Sequence, residues 1–288
     1  MAAIRRLAVV LVVLALASAG ALMGAGLYLS AAANHPVASP DDLAVQDVAI
    51  PSRSGTILAG WYLVGNPGAG AVVLMPGWTS TRRSMLRRMR FLYDAGYAVL
   101  AFDFQGHGES PGHHITFGKL EALDAESAVR WMRATLPRER IGVIGVSLGG
   151  AAALLAPDGL AADALVLESV FPDLHRAVAN RVAAYVGPAA EPVTTAFLAV
   201  TGPALGIDDA DVRPIDRIAD IGVPVFVIAG ERDTRTPIAE ARELFARARD
   251  PKQIWEIPGA AHVDFERFAA RDYRRRILEF FGTYLRDG

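Results

Sequence analysis

At 288 residues, with 52% hydrophobic residues and a formal net charge of −2, the chain has the length of one α/β domain and lacks the basic block expected of a nucleic-acid binder. It contains no cysteine, which excludes disulfides, thiolate metal sites and a cysteine nucleophile.

Leu7 to Ser30 is a run of 24 residues without a formal charge, preceded by Arg5 and Arg6 and followed at a distance by Asp41 and Asp42. As a helix it would be about 36 Å long, enough to cross a hydrocarbon core of roughly 30 Å. Arginines before it and acids after it predict an N-terminus inside and the rest of the chain outside the membrane. One alternative is a cleaved signal peptide, with small residues at Ala17 to Ala19 or Ala31 to Ala33, which would leave the protein secreted; another is a buried helix of the domain. Apolar character continues through Leu22, Met23, Leu27 and Leu29, which favours a retained anchor. Residues 1–33 are therefore expected to form the anchor or signal segment and 34–44 a short tether. Residues 45–288 are the folded domain.

Val45 to Ile50 and Thr56 to Val64 flank the turn residues Pro51 to Gly55 and predict an antiparallel hairpin. Ala71 to Met75, Ala98 to Phe102, Ile141 to Val146, Ala164 to Leu167 and Val223 to Ala229 are continuous apolar runs, as parallel strands buried on both faces require. Helix-length segments lie between them, and Lys252 to Ile257 and Asp264 to Leu285 supply a last strand and helix. The class is α/β: a mostly parallel eight-stranded sheet with helices on both faces. Residues 171–213 interrupt the alternation with helical stretches at Ala177 to Val186 and Thr194 to Val200, broken at Gly187 and Pro188, at Pro192 and at Gly202 and Pro203. They predict a small helical lid whose apolar surface faces a pocket. The arginines from Arg271 to Arg276 in the last helix read as a solvated face.

Gly145-Val146-Ser147-Leu148-Gly149 spells GxSxG between a strand and a run of small residues, the pattern of a sharp strand-to-helix turn with serine at its apex. Such a serine lies at a helix N-terminus, where free N–H groups stabilise negative charge. It needs a base, usually a histidine held by a carboxylate. Of the six histidines, His262 occupies the loop after the last strand, at the sheet edge where the serine also falls. The loop after the preceding strand reads Gly230-Glu231-Arg232-Asp233, with Asp233 the expected acid and Glu231 and Glu168 nearby. One oxyanion donor is expected from the N–H of Leu148. The second is expected from Trp78, in the Pro76-Gly77-Trp78-Thr79 loop.

With these residues in place the chain resembles the α/β-hydrolase superfamily from about Val45 to Leu285. The motifs are GxSxG at Ser147, Asp233 in GERD, His262 in GAAH, and Asp103-Phe104-Gln105-Gly106-His107-Gly108-Glu109-Ser110, which is similar to that superfamily's DxRGHGxS loop. Within it the chain is similar to bacterial membrane-anchored or exported enzymes of the Bem46-like and serine aminopeptidase-like type. Pro76 and Gln105 depart from the histidine and arginine that many relatives carry there. The resemblance implies an α/β-hydrolase fold, and His107 supporting the active-site loop without acting as base.

The expected activity is a serine hydrolase cleaving acyl esters through an acyl-enzyme, with catalytic Ser147, Asp233 and His262 and oxyanion donors Trp78 and Leu148. No cofactor or metal is expected. The partners are a small-molecule acyl substrate, lipid-derived ones included, and the membrane through the N-terminal helix, with no nucleic acid. A thioesterase, a peptidase or amidase and an acyltransferase share this triad. A noncatalytic membrane-anchored ligand-binding protein is the alternative of another class.

Overall fold

The computed structural model describes residues 1–286; the last two residues of the expected domain lie outside the described residues. An eight-stranded sheet forms the centre. Its strands are β1 (Gln46–Pro51), β2 (Ile57–Leu63), β3 (Ala71–Met75), β4 (Ala98–Phe102), β5 (Ile141–Val146), β6 (Ala164–Glu168), β7 (Val225–Gly230) and β8 (Lys252–Ile257). They lie side by side in the order β8, β7, β6, β5, β3, β4, β2, β1. β2 runs antiparallel to both neighbours, and every other pairing is parallel.

The apolar runs become central strands because both faces are covered. Along β3, Ala71, Val73 and Met75 enter one core with Ala125, Val129 and Met132 of α3 (Lys119–Thr135). Val72 and Leu74 enter the opposite core with Met89 and Leu92, from α2 (Leu86–Asp94), and with Ile277 and Phe281. Those last two side chains belong to the final helix, Ala270–Tyr284. The arginine-rich face of that helix is largely paired, Arg274 with Glu266 and Arg275 with Glu279, while Arg276 lies over the Trp255 ring.

The first helix, α1, covers Ala2–Leu29 and is long and apolar enough to cross a membrane, with mean hydropathy 2.5 over its candidate span. Its first four turns stand clear of the domain, whereas Gly26 is buried against Thr201; a β-carbon on Gly26 would lie 2.3 Å from Thr201 Cγ2. The stretch after it lies along the domain. Ala33 N–H donates to Gly106 O at 2.7 Å, His35 N–H to Gly108 O at 2.9 Å, and Val37 is buried beside them.

Between β6 and β7 rises a pair of helices, α5 (Leu174–Val186) and α6 (Ala190–Leu205). The sequence predicts breaks at Pro192 and at Gly202 and Pro203, but α6 runs through both. Pro192 sits in the first turn, where its missing N–H has no partner to lose, and Pro203 falls in the last turn, where it costs one hydrogen bond. Gly206, in the left-handed region at φ 63°, ends the helix.

Candidate active site

Ser147 occupies a sharp turn between β5 and α4 (Leu148–Leu155), with φ 49° and ψ −109°. That backbone conformation is strained for a residue with a side chain, and such strain is found where structure must present a group. The two flanking glycines make the turn possible. A β-carbon on Gly145 would lie 2.6 Å from the Gly150 nitrogen, and one on Gly149 would lie 2.3 Å from Met75 O. Ser147 N–H donates to Glu168 O at 2.7 Å, which ties the turn to the end of β6.

His262 arrives on the loop after β8 and Asp233 on the loop after β7, both at the carboxyl edge of the sheet where Ser147 lies. Arg232 N–H donates to Ala260 O at 2.8 Å, which clamps the two loops together. His262 Nδ1 lies 2.7 Å from Asp233 Oδ2. Asp233 also accepts from the backbone N–H groups of Arg235 at 2.8 Å and Thr236 at 3.0 Å, and from the hydroxyls of Thr236 at 2.7 Å and Ser169 at 3.1 Å. Burial pushes the Asp233 carboxyl up, but His262 and the Thr236 donors outweigh it and hold it below the ordinary carboxylate value.

Ser147 and His262 line one cavity of about 240 Å³, together with Gly77, Trp78, Val146 and Arg181 among others. Leu148 opens α4, so its N–H is one of the free donors of a helix N-terminus. Trp78 lines the same cavity on the loop after β3, and Gly77 there would bring a β-carbon within 3.8 Å of Ser147 Cβ. The arrangement can bind a carbonyl group between a hydroxyl, an imidazole held by a carboxylate, and backbone donors.

The other acids near this edge are engaged elsewhere. Glu168 is buried against Arg88 at 2.7 Å and accepts from the Tyr273 hydroxyl at 2.5 Å; burial pushes that phenol well up, so it donates as a neutral group. Glu231 accepts from Gly259 N–H at 2.9 Å. His107 is fully buried, with Nδ1 2.9 Å from Gln105 O, and burial lowers its proton affinity. Gln105 fills its place differently from an arginine: its amide donates to Glu121 Oε1 at 2.8 Å.

Ser169 and Thr236 also belong to this site, although neither stands out in the sequence. The only sequence signal was their position, each following a strand that ends at the catalytic edge. The apolar surface of the lid faces a cavity other than the one at Ser147. The apolar residues of α6, including Leu198, Ala199 and Pro203, line a second cavity of about 500 Å³, away from Ser147, and the lid contributes Arg181 to the cavity of Ser147 and His262.

Comparison with known proteins agrees with this architecture. A profile described as the alpha/beta hydrolase family matches residues 72–273. An uncharacterised protein of Mycobacterium tuberculosis is 34% identical over 264 residues, covering 88% of this chain and 85% of its own length. The alpha/beta hydrolase domain-containing protein WAV2 of Arabidopsis thaliana is 26% identical over 262 residues, covering 84% of this chain and 80% of its own. Among solved structures, an esterase of Pyrococcus furiosus superposes with a TM-score of 0.71 at 27% identity, covering 87% of this chain and 96% of that one. The chain belongs to the alpha/beta hydrolase family.

Proposed function

We propose that the protein is a serine hydrolase that cleaves carboxylic esters through an acyl-enzyme. The observation that carries this reading is His262, held by Asp233, lining the same cavity as a serine in a strained turn at a helix N-terminus. In this mechanism Ser147 Oγ attacks the carbonyl carbon while His262 Nε2 takes its proton. Asp233 keeps the Nδ1–H tautomer in place and stabilises the imidazolium. The N–H groups of Leu148 and Trp78 receive the oxyanion, each such donor lowering the barrier by roughly 3 kcal/mol. His262 then protonates the leaving alcohol, and a water deprotonated by the same imidazole releases the acid. The esterase neighbour supports ester over amide substrates.

We further propose that α1 anchors the enzyme in a membrane with the catalytic domain on the extracytoplasmic side, on the strength of Arg5 and Arg6 before the apolar span and the acids after it. The catalytic reading is tested by titrating the full chain with a fluorophosphonate probe and assaying aryl butyrate turnover. Both signals are expected in the parent and in neither Ser147→Ala nor His262→Ala; labelling that survives in Ser147→Ala contradicts the assignment. Added alcohol acceptors separate hydrolysis from acyl transfer, with the free acid as the expected product.

A further inference from the structure

Resting on the serine-hydrolase reading, we propose that Arg181 and Arg235 form an anion cradle at the mouth of the catalytic cavity, and that the substrate is an ester bearing a carboxylate or phosphate group near its scissile bond. Both residues line the cavity that contains Ser147 and His262. Arg181 comes from the lid helix α5, and Arg235 from the loop that carries Asp233.

These two arginines differ from the others around the site. Arg88, in the same cavity, is neutralised by Glu168 at 2.7 Å and Asp264 at 2.8 Å. Arg176, one turn before Arg181 on α5, is paired with Asp173 and Glu243. Arg181 has no salt bridge among the described residues, and its guanidinium donates only to Ala177 O, at 2.7 Å, in its own helix. Arg235 likewise has no acidic partner among the described residues, and its backbone, not its side chain, serves Asp233.

The nearby acids, Asp233 and Glu240, form no ion pair with either arginine among the described residues. Asp233 receives five donors, from His262, Ser169, Arg235 N–H and the Thr236 backbone and hydroxyl. Glu240 accepts from Asn180 Nδ2 at 2.8 Å. Asn180 also donates to Arg235 O at 3.2 Å, so a hydrogen bond latches the lid to this loop and holds the two cations in one neighbourhood. Burial, and then the Arg235 charge beside it, pull the Arg181 guanidinium below the ordinary arginine value and outweigh the weaker opposing pull of Asp233 and Glu240.

A fold that brings two like charges together and gives neither an ion-pair partner carries an electrostatic cost that a bound anion would relieve. Guanidinium groups suit carboxylate and phosphate oxygens by geometry as well as charge. The lid thereby contributes charge selectivity to this cavity, while its apolar face serves the second cavity and α1.

The test uses two ester pairs of matched size with the full chain: mono-(4-nitrophenyl) succinate against its methyl-capped form, and butyrylglycerol phosphate against monobutyrin. The parent is expected to prefer the charged member of at least one pair by about tenfold or more in kcat/KM, the scale of one charge-assisted hydrogen bond. The pair that responds tells carboxylate from phosphate. In Arg181→Gln and in Arg235→Gln that charged-to-neutral ratio should fall about tenfold through the KM of the charged ester, and Arg181→Lys should keep most of it. Equal kcat/KM within both pairs overturns the proposal, as does a ratio that both glutamine variants leave intact. If the neutral esters are turned over only when Ser147 is present, the serine-hydrolase reading survives that failure. Turnover that persists in Ser147→Ala removes the underlying reading itself.

Discussion

His262 Nδ1 lies 2.7 Å from Asp233 Oδ2, and the same oxygen accepts the hydroxyls of Thr236 and Ser169. The acid is thus fixed before it meets the imidazole, so its role is orientation and charge, and the amide isostere should keep the fold and lose the chemistry. Asp233→Asn is expected to lower kcat by about ten thousandfold, because its amide NH₂ favours the wrong imidazole tautomer. A steady-state assay on an aryl ester checks this. A loss below about tenfold would assign the orienting role to another group.

Gly149 faces the backbone of the neighbouring strand. A β-carbon there would lie 2.3 Å from Met75 O and 2.7 Å from Pro76 O, atoms that cannot rotate away. Gly149→Ala should therefore destabilise the domain by about 2 kcal/mol or more, read as a shift of the urea midpoint with an unchanged slope. A change under about 0.5 kcal/mol would mean that the turn has room the geometry denies.

Asp124 on α3 is buried under Ser52, Ser54 and Gln105 N–H, and burial pushes its carboxyl up to about 6 against an ordinary 3.8. Its folded pKa is raised, so its contribution to stability is complete below the unfolded value and is lost as the pH rises through about 6. Between about pH 4 and pH 7 the parent should lose up to about 3 kcal/mol relative to Asp124→Asn, which cannot titrate. Denaturant midpoints of the two proteins at both pH values test this; parallel pH profiles would contradict it.

Much of the sheet was legible because period and length are local properties. Ala71 to Met75 is apolar at every position, and a strand of that composition needs cover on both faces, which the helices at Leu86–Asp94 and Lys119–Thr135 supply. The small residues around Ser147 announced the tight turn for the same reason, since Gly145 and Gly149 have no space for a side chain. What escaped the sequence depends on partners far apart in it. Pro192 and Pro203 looked like breaks, yet both fall within a terminal turn of α6. Ala33 and Asn34 pair with His107 and Gly108, and nothing in either segment names the other. Arg181 carries no mark in the sequence, and its place at the catalytic cavity follows from how the lid helix packs, with Asn180 latched to Arg235 O.

If Ser147 carries the acyl group, that acyl-enzyme can be trapped. The parent is mixed with a slowly deacylating aryl ester, quenched in acid, digested with trypsin and weighed by mass spectrometry. One acyl increment is expected on the peptide running from Ile141 to Arg176, localised to Ser147 by fragmentation and absent from Ser147→Ala. An acyl group on Ser169 of the same peptide, on any other residue, or persisting in the Ser147→Ala enzyme would contradict it.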